Sequence, residues 1–208
     1  MQALFISVLI GYLLGSIPFG FLVGKARGID IRKHGSGNIG ATNVVRTLGK
    51  NWGVFVFILD VLKGAAAVQL AQRLDINLAA PGVFHPSVNV IGIVAGLACI
   101  LGHNYPAWLG FKGGKGVATS AGVLVGLMPA AAGIGLLVWV ISYYSSRYVS
   151  LASIIAAVSL PVIVWALERE ANSLFWFSLV ISTLAIWRHR SNIQRLLAGT
   201  EHRFEKKK

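Results

Sequence analysis

Two short glycine-rich stretches carry residues suited to holding phosphate. The first reads Gly35-Ser36-Gly37-Asn38-Ile39-Gly40-Ala41-Thr42-Asn43, with Arg46 close behind. Small residues let a chain present several backbone N–H groups to one anion, and Ser36, Asn38, Thr42 and Asn43 add side-chain donors. A helix starting near Asn38 or Ala41 would add the favourable potential of its N-terminus. The formal G-x-G-x-x-G at Gly35, Gly37 and Gly40 does not predict a dinucleotide site. That fingerprint follows a strand inside a βαβ unit, and here a long apolar run precedes it. The second stretch, Gly110-Phe111-Lys112-Gly113-Gly114-Lys115-Gly116, opens onto Val117. It is not a Walker A sequence, because Gly116 stands where a Ser or Thr would ligate magnesium. Lys112, Lys115 and the amides of Gly113, Gly114 and Gly116 at a helix start still suit a phosphorylated group. The plainer alternatives are a flexible loop at 35–43 and a charge that merely sets membrane topology at 112–115.

Other polar residues extend the candidate set. His103 precedes Asn104-Tyr105-Pro106, and His189 lies three residues before Asn192 in Arg188-His189-Arg190-Ser191-Asn192. On a helix that spacing puts His189 and Asn192 on one face, where both reach one ligand. An isolated histidine more often serves a structural hydrogen bond, and that alternative stays open for each. The single cysteine, Cys99, lies in an apolar run where a thiol is normally inert. With no thiolate cluster and no convincing carboxylate set, no metal site is expected. No G-x-S-x-G elbow marks an acyl-enzyme serine. Nor does any of the five histidines begin an H-x-x-x-x-D pattern. What remains is a set of phosphate binders without a nucleophile, which suits direct transfer between two phosphorylated substrates.

The elements that must position these residues are membrane helices. The chain of 208 residues is 55% hydrophobic and only 12% charged, with mean hydropathy +0.70, whereas soluble domains carry about a quarter charged residues. Apolar runs cover Leu4–Val23, Gly53–Ala71, Val88–Trp108, Val117–Ile141, Leu151–Leu167 and Leu174–Trp187. The first has no Lys or Arg before it and positive residues after it, the reverse of a cleavable signal. Asp60 and Lys63 lie inside the second run, about 10 and 15 Å along it. Isolated charges there cost at least a few kcal/mol each, so the two should pair or face a polar interior; the i,i+3 spacing allows a direct pair, serving either structure or substrate placement. The net charge of +12 sits mainly in 25–50, at Lys112 and Lys115, at Arg147 and beyond Arg188. The positive-inside rule puts all four groups on the cytoplasmic face. Six crossings cannot do this from an external N-terminus, but the long run 117–141 divides naturally at Gly126 and Pro129. The expectation is therefore an all-α integral membrane protein of about seven helices, N-terminus outside and C-terminus cytoplasmic. The two halves of the divided run, about 12 to 15 residues each, would be short for a span. The whole chain, 1–208, is expected to form a single transmembrane domain with a basic tail at 200–208. The positive charge then belongs to a membrane face, and no nucleic acid is expected as a partner.

At these residues the sequence resembles the bacterial acyl-phosphate:glycerol-3-phosphate acyltransferase family. The matching stretches are Gly15-Ser16-Ile17-Pro18-Phe19-Gly20, 35–43, Gly102-His103-Asn104-Tyr105-Pro106, and Phe111 to Thr119. Arg147-Tyr148-Val149-Ser150-Leu151 and Arg188 to Ile193 complete them, all in family order. The resemblance implies seven spans and an enzyme without cofactor. The sn-1 hydroxyl of glycerol 3-phosphate would attack the carbonyl of an acyl phosphate, giving lysophosphatidic acid and inorganic phosphate. By similarity to the family motifs, Ser36, Arg46, Lys115, Ser153, His189 and Asn192 are the expected catalytic residues. Gly37, Asn38, Thr42, Asn43, His103, Lys112, Gly113, Gly114, Gly116 and Arg188 are the expected substrate-binding ones. The implied setting is the bacterial cell membrane, the inner one where there are two, with the site facing the cytoplasm. A functional handover from the enzyme that makes acyl phosphate is a further expectation. The competing readings are a transporter of a phosphorylated solute and a module that binds anionic lipid.

Overall fold

The computed structural model describes residues 2–78 and 88–204, and among these every regular element is helical. Two compact units divide the chain, 1–127 and 128–208. The first holds α1 (Gln2–Ser16), α2 (Phe19–Ala26), α3 (Ala41–Leu48), α4 (Lys50–Leu78), α5 (Val88–Asn104) and α6 (Val117–Leu127). In the second lie α7 (Pro129–Ser146), α8 (Val149–Glu168), α9 (Ser173–Arg188) and α10 (Arg190–Leu197).

The first apolar run is not one continuous helix. Pro18 has no N–H to donate and disfavours a helical conformation at Ile17, so α1 stops at Ser16 and α2 begins at Phe19. The third run also ends earlier than its hydropathy implies. Its helix stops at Asn104, and Pro106 leads into a short 3₁₀ turn at Ala107–Leu109. The run 117–141 does break where Gly126 and Pro129 bracket it, with Pro129 at the first turn of α7, where its missing N–H costs nothing. The two pieces are unequal, 11 residues in α6 and 18 in α7.

Among the described residues, five helical segments are long and apolar enough to cross a membrane: Gln2–Ala26, Lys50–Leu74, Asn89–Leu109, Pro129–Ser146 and Val149–Glu168. Val117–Leu127 and Ser173–Arg188 are apolar but shorter. The distribution of side chains is the inverse of a water-soluble protein. Phe5 and Val162 are 71% and 69% exposed, while Ser7, Ser16, Asp60 and Lys63 are buried. Such an arrangement is stable where the surroundings are hydrocarbon.

In the first unit α5 packs along α1, and α4 packs against α1, α3, α5 and α6. The α1–α5 contact is a backbone approach: a Cβ at Gly15 would strike the Cys99 carbonyl. Small residues at such crossings gain dispersion contact where no hydrophobic force acts between helices. In the second unit α8 packs against both α7 and α9, and α10 rests on α8 and α9.

Candidate active site

The segment between α2 and α3 is a folded loop, not a flexible tether. Val23, Ile31, Ile39, Val44 and Val56 form a buried cluster that pins it to α2, α3 and α4. Asp30 caps the 3₁₀ turn Ile31–Lys33 and pairs with Arg32 at 2.7 Å. The hydrogen bonds from Arg32 hold the Asp30 carboxyl well below the usual carboxylate range. The decisive side chain is Asn43, which is 1% exposed. Its Oδ1 accepts from the Ser36 N–H at 2.8 Å, and its Nδ2 donates to the carbonyls of Ile31, His34 and Asn38 at 2.8 to 3.1 Å. A single buried amide therefore shapes the whole turn. Asn38 makes a second, local bond, its Oδ1 accepting from Gly40 N–H at 2.9 Å, with Gly40 in turn capping α3. Around this frame Ser36 and Gly37 are exposed, and Thr42 and Arg46 are half-buried on α3. The helix expected near Asn38 or Ala41 begins at Ala41.

The second glycine loop lies on the end of α5. Gly113 N–H donates to the Asn104 carbonyl at 3.1 Å and Gly114 N–H to the His103 carbonyl at 3.0 Å. Gly110 and Phe111 both take left-handed backbone angles to turn the chain back, with φ 59° and 61°. Lys112 is exposed, Lys115 is half-buried, and Gly116 leads into α6. Beneath the loop His103 is only 6% exposed, and its Nδ1 stands 2.9 Å from Lys63 Nζ. The expected pair of Lys63 with Asp60 is present at 2.8 Å, with both side chains 3% exposed.

The second unit has its own polar centre, built where α9 gives way to α10. His189 terminates one helix and precedes the other, and its carbonyl accepts from Asn192 N–H at 2.8 Å. Its Nδ1 lies 2.8 Å from the Ala185 carbonyl, a distance at which that nitrogen donates to the carbonyl oxygen. Asn192, 3% exposed, donates from Nδ2 to Glu201 Oε1 at 2.8 Å. Ser150 Oγ donates to the same oxygen at 2.9 Å, and Arg195 Nε to Oε2 at 2.7 Å. Burial pushes the Glu201 carboxyl up, but these hydrogen bonds and the Arg195 charge outweigh it and hold the group below its ordinary value. Ser153 donates to the Val149 carbonyl at 2.8 Å and accepts from Trp139 Nε1 at 3.1 Å. Arg188 is half-buried in the last turn of α9.

The structure thus gathers Ser36, Gly37, Asn38, Thr42, Asn43 and Arg46 around one turn. It gathers His103 and 112–116 around another, and His189 and Asn192 at one helix junction. Glu201, which is not among the residues expected from the sequence, anchors that junction from within the stretch expected to be a basic tail. One acidic residue between Arg195 and Arg203 was the available signal, since a lone carboxylate among cations tends to pair.

A profile of the family described as glycerol-3-phosphate acyltransferase matches residues 5–199. The chain belongs to this family. It is 48% identical over 205 residues to the glycerol-3-phosphate acyltransferase of Desulforamulus reducens, covering 98% of this chain and 96% of that protein. To the Aquifex aeolicus glycerol-3-phosphate acyltransferase it is 47% identical over 207 residues, 98% of this chain and 100% of the other. A crystal structure of an integral membrane glycerol 3-phosphate acyltransferase in its glycerol 3-phosphate form superposes with TM-score 0.86 at 45% identity, covering 99% of this chain and 96% of that one. The lysophosphatidic acid form of the same enzyme gives 0.84. The protein is accordingly an integral membrane glycerol-3-phosphate acyltransferase of phospholipid biosynthesis.

Proposed function

We propose that this acyltransferase takes its acyl group from an acyl phosphate and works without cofactor. The sn-1 oxygen of glycerol 3-phosphate attacks the acyl carbonyl carbon, the carbon–oxygen bond to phosphate breaks, and inorganic phosphate leaves with that electron pair. The donor is already a mixed anhydride, so no enzyme nucleophile is required, and positioning with charge stabilisation supplies the rate. Arg46 and Lys115 hold phosphate, with the amides of Gly113, Gly114 and Gly116 and the exposed turn at Ser36 and Gly37 as further donors, joined by Asn38, Thr42 and Lys112, while Arg188 binds substrate in the second unit. Asn43 and His103 serve by shaping the two loops, as their burial suits. Ser153 and Asn192 orient substrate in the second unit. The observation that carries the reading is the burial of His189 and Asn192 together at one helix junction, where His189 serves to bind phosphate or to accept the hydroxyl proton.

Seven spans, an external N-terminus and a cytoplasmic C-terminus in the bacterial cell membrane place both glycine loops on the cytoplasmic face. Sixteen of the nineteen basic residues then share that face, which supports the arrangement. The whole chain acts as one catalytic domain, and acyl phosphate arrives by handover from the enzyme that makes it. Purified protein, given palmitoyl phosphate and glycerol 3-phosphate with neither nucleotide nor coenzyme A, is expected to release phosphate and form lysophosphatidic acid in equal amounts. Absence of product with that donor, together with product from another acyl carrier, overturns the donor assignment.

A further inference from the structure

Asp60 and Lys63 sit in α4, one helix away from either glycine loop in sequence, yet they hold the surface on which one of those loops rests. Lys63 Nζ has three close neighbours, the Ile17 carbonyl at 2.9 Å, Asp60 Oδ1 at 2.8 Å and His103 Nδ1 at 2.9 Å. All three are acceptors toward an ammonium group, which has three protons and no lone pair. The same Nδ1 lies 3.5 Å from Asp60 Oδ1, so both members of the ion pair face one side of the ring. The imidazole is tied to α4 on its Nδ1 side. Its Nε2 side faces Gly114, where a Cβ would fall on the ring, and the three atoms nearest to that Cβ all belong to the imidazole. Gly114 does not have a left-handed φ, so the ring and not the backbone angle keeps this position glycine. The loop is secured to the same residue by the Gly114 N–H bond to the His103 carbonyl.

We propose that Asp60, Lys63 and His103 are positioning residues for acyl transfer, a buried prop that sets the height of the Gly113-Gly114 backbone and hence of Lys115. The inference rests on the reading of Lys115 as a phosphate holder. It explains a cost that the membrane makes large: a buried ion pair is weak support for stability alone, and an apolar pair of equal volume would serve as well or better. What an apolar pair cannot do is hold an imidazole in one orientation under a backbone that has no side chain of its own.

The test uses the full-length enzyme in detergent. Asp60→Asn combined with Lys63→Met removes both charges at nearly constant volume, so neither is left buried alone. This double variant is expected to stay folded, with a melting temperature close to the parent, and to lose about 10-fold or more in kcat/KM for glycerol 3-phosphate. In a Lys115→Ala background the same pair of changes is expected to cost less than about 3-fold, because it acts through that lysine. A second pair reads the contact itself. Gly114→Ala is expected to lose about 100-fold in activity, and adding His103→Ser, which vacates the ring, to recover about 10-fold of that. Equal losses from the Asp60/Lys63 change with and without Lys115 overturn the proposal. So does a Gly114→Ala variant made worse by His103→Ser in both activity and melting temperature. Near-parent activity of Lys115→Ala alone overturns instead the phosphate-holding role, while recovery of the Gly114→Ala melting temperature by His103→Ser would still report the prop.

Discussion

Replacing Glu201 should loosen the second unit and its site together. Its Oε1 accepts hydrogen bonds from the buried Ser150 and Asn192, and its Oε2 accepts from Arg195, whose side chain is 41% exposed. Hydrogen bonds to a charged group contribute about 1.5–3 kcal/mol each, and a half-solvated ion pair about 0.2–1 kcal/mol. Removing one acceptor from two buried donors is non-additive, so Glu201→Ala is expected to cost about 3–5 kcal/mol, while Glu201→Gln, which keeps one oxygen, costs about 1–2 kcal/mol. At about 2–4 °C per kcal/mol for a chain of this size, the alanine variant should melt about 10 °C below the parent. Thermal unfolding in detergent, followed by intrinsic fluorescence, measures this. Transfer assayed well below both midpoints should also fall in Glu201→Ala, because the Asn192 amide loses the contact that fixes its rotamer. A melting temperature for Glu201→Ala within about 2 °C of the parent would show that Glu201 does not anchor the junction, since a hydrogen-bonded buried carboxylate cannot be removed at so small a cost.

Titration of the same residue supplies an independent check. With its folded-state value held below that of the unfolded chain, near 4.3, Glu201 stabilises the fold fully above that pH and loses this contribution as pH falls through the folded value. The parent melting temperature should therefore drop more steeply on acidification below about pH 4.5 than that of Glu201→Gln. Lys115→Ala and Arg46→Ala should each lose at least about 100-fold in kcat/KM while melting like the parent, and a double variant with near-normal activity would end the phosphate assignment. His189→Gln should lower kcat with little change in KM for glycerol 3-phosphate; a rise in KM alone would identify a binding residue instead. Gly15→Val should cost about 3 kcal/mol or more, read as loss of monodisperse protein on size exclusion, because the new side chain meets the Cys99 carbonyl at the α1–α5 crossing.

Much of the fold was legible because hydropathy and helix period are local properties. The break at Gly126 and Pro129 followed from the chemistry of proline alone. The break at Ile17-Pro18 obeys the same rule but was hidden inside a run with enough apolar residues for one span. Early termination of the third run at Asn104 was equally masked, since Ala107, Trp108 and Leu109 are apolar whether or not they are in the helix.

The candidate residues divide in the same way. Their identity was readable from residue chemistry, from glycines between cations, and from family resemblance. The use of each side chain was not, because it depends on what lies opposite. Asn43 has the composition of a ligand donor, but its amide is committed to four backbone groups of its own loop. His103 looks from its position like a substrate contact, but faces inward onto Lys63.

The amino-acid order alone dictates an all-helical membrane protein, and its i,i+3 spacing lets Asp60 reach Lys63. These follow from hydrocarbon solvation and from spacing along one helix. Only the tertiary structure decided that Glu201 lies against Ser150 and Asn192, or that Lys63 reaches both Ile17 and His103. Those contacts join residues nine to fifty-one positions apart. Such pairings come from how helices cross, and crossing geometry is set by backbone approach at positions such as Gly15, not by periodicity in the chain.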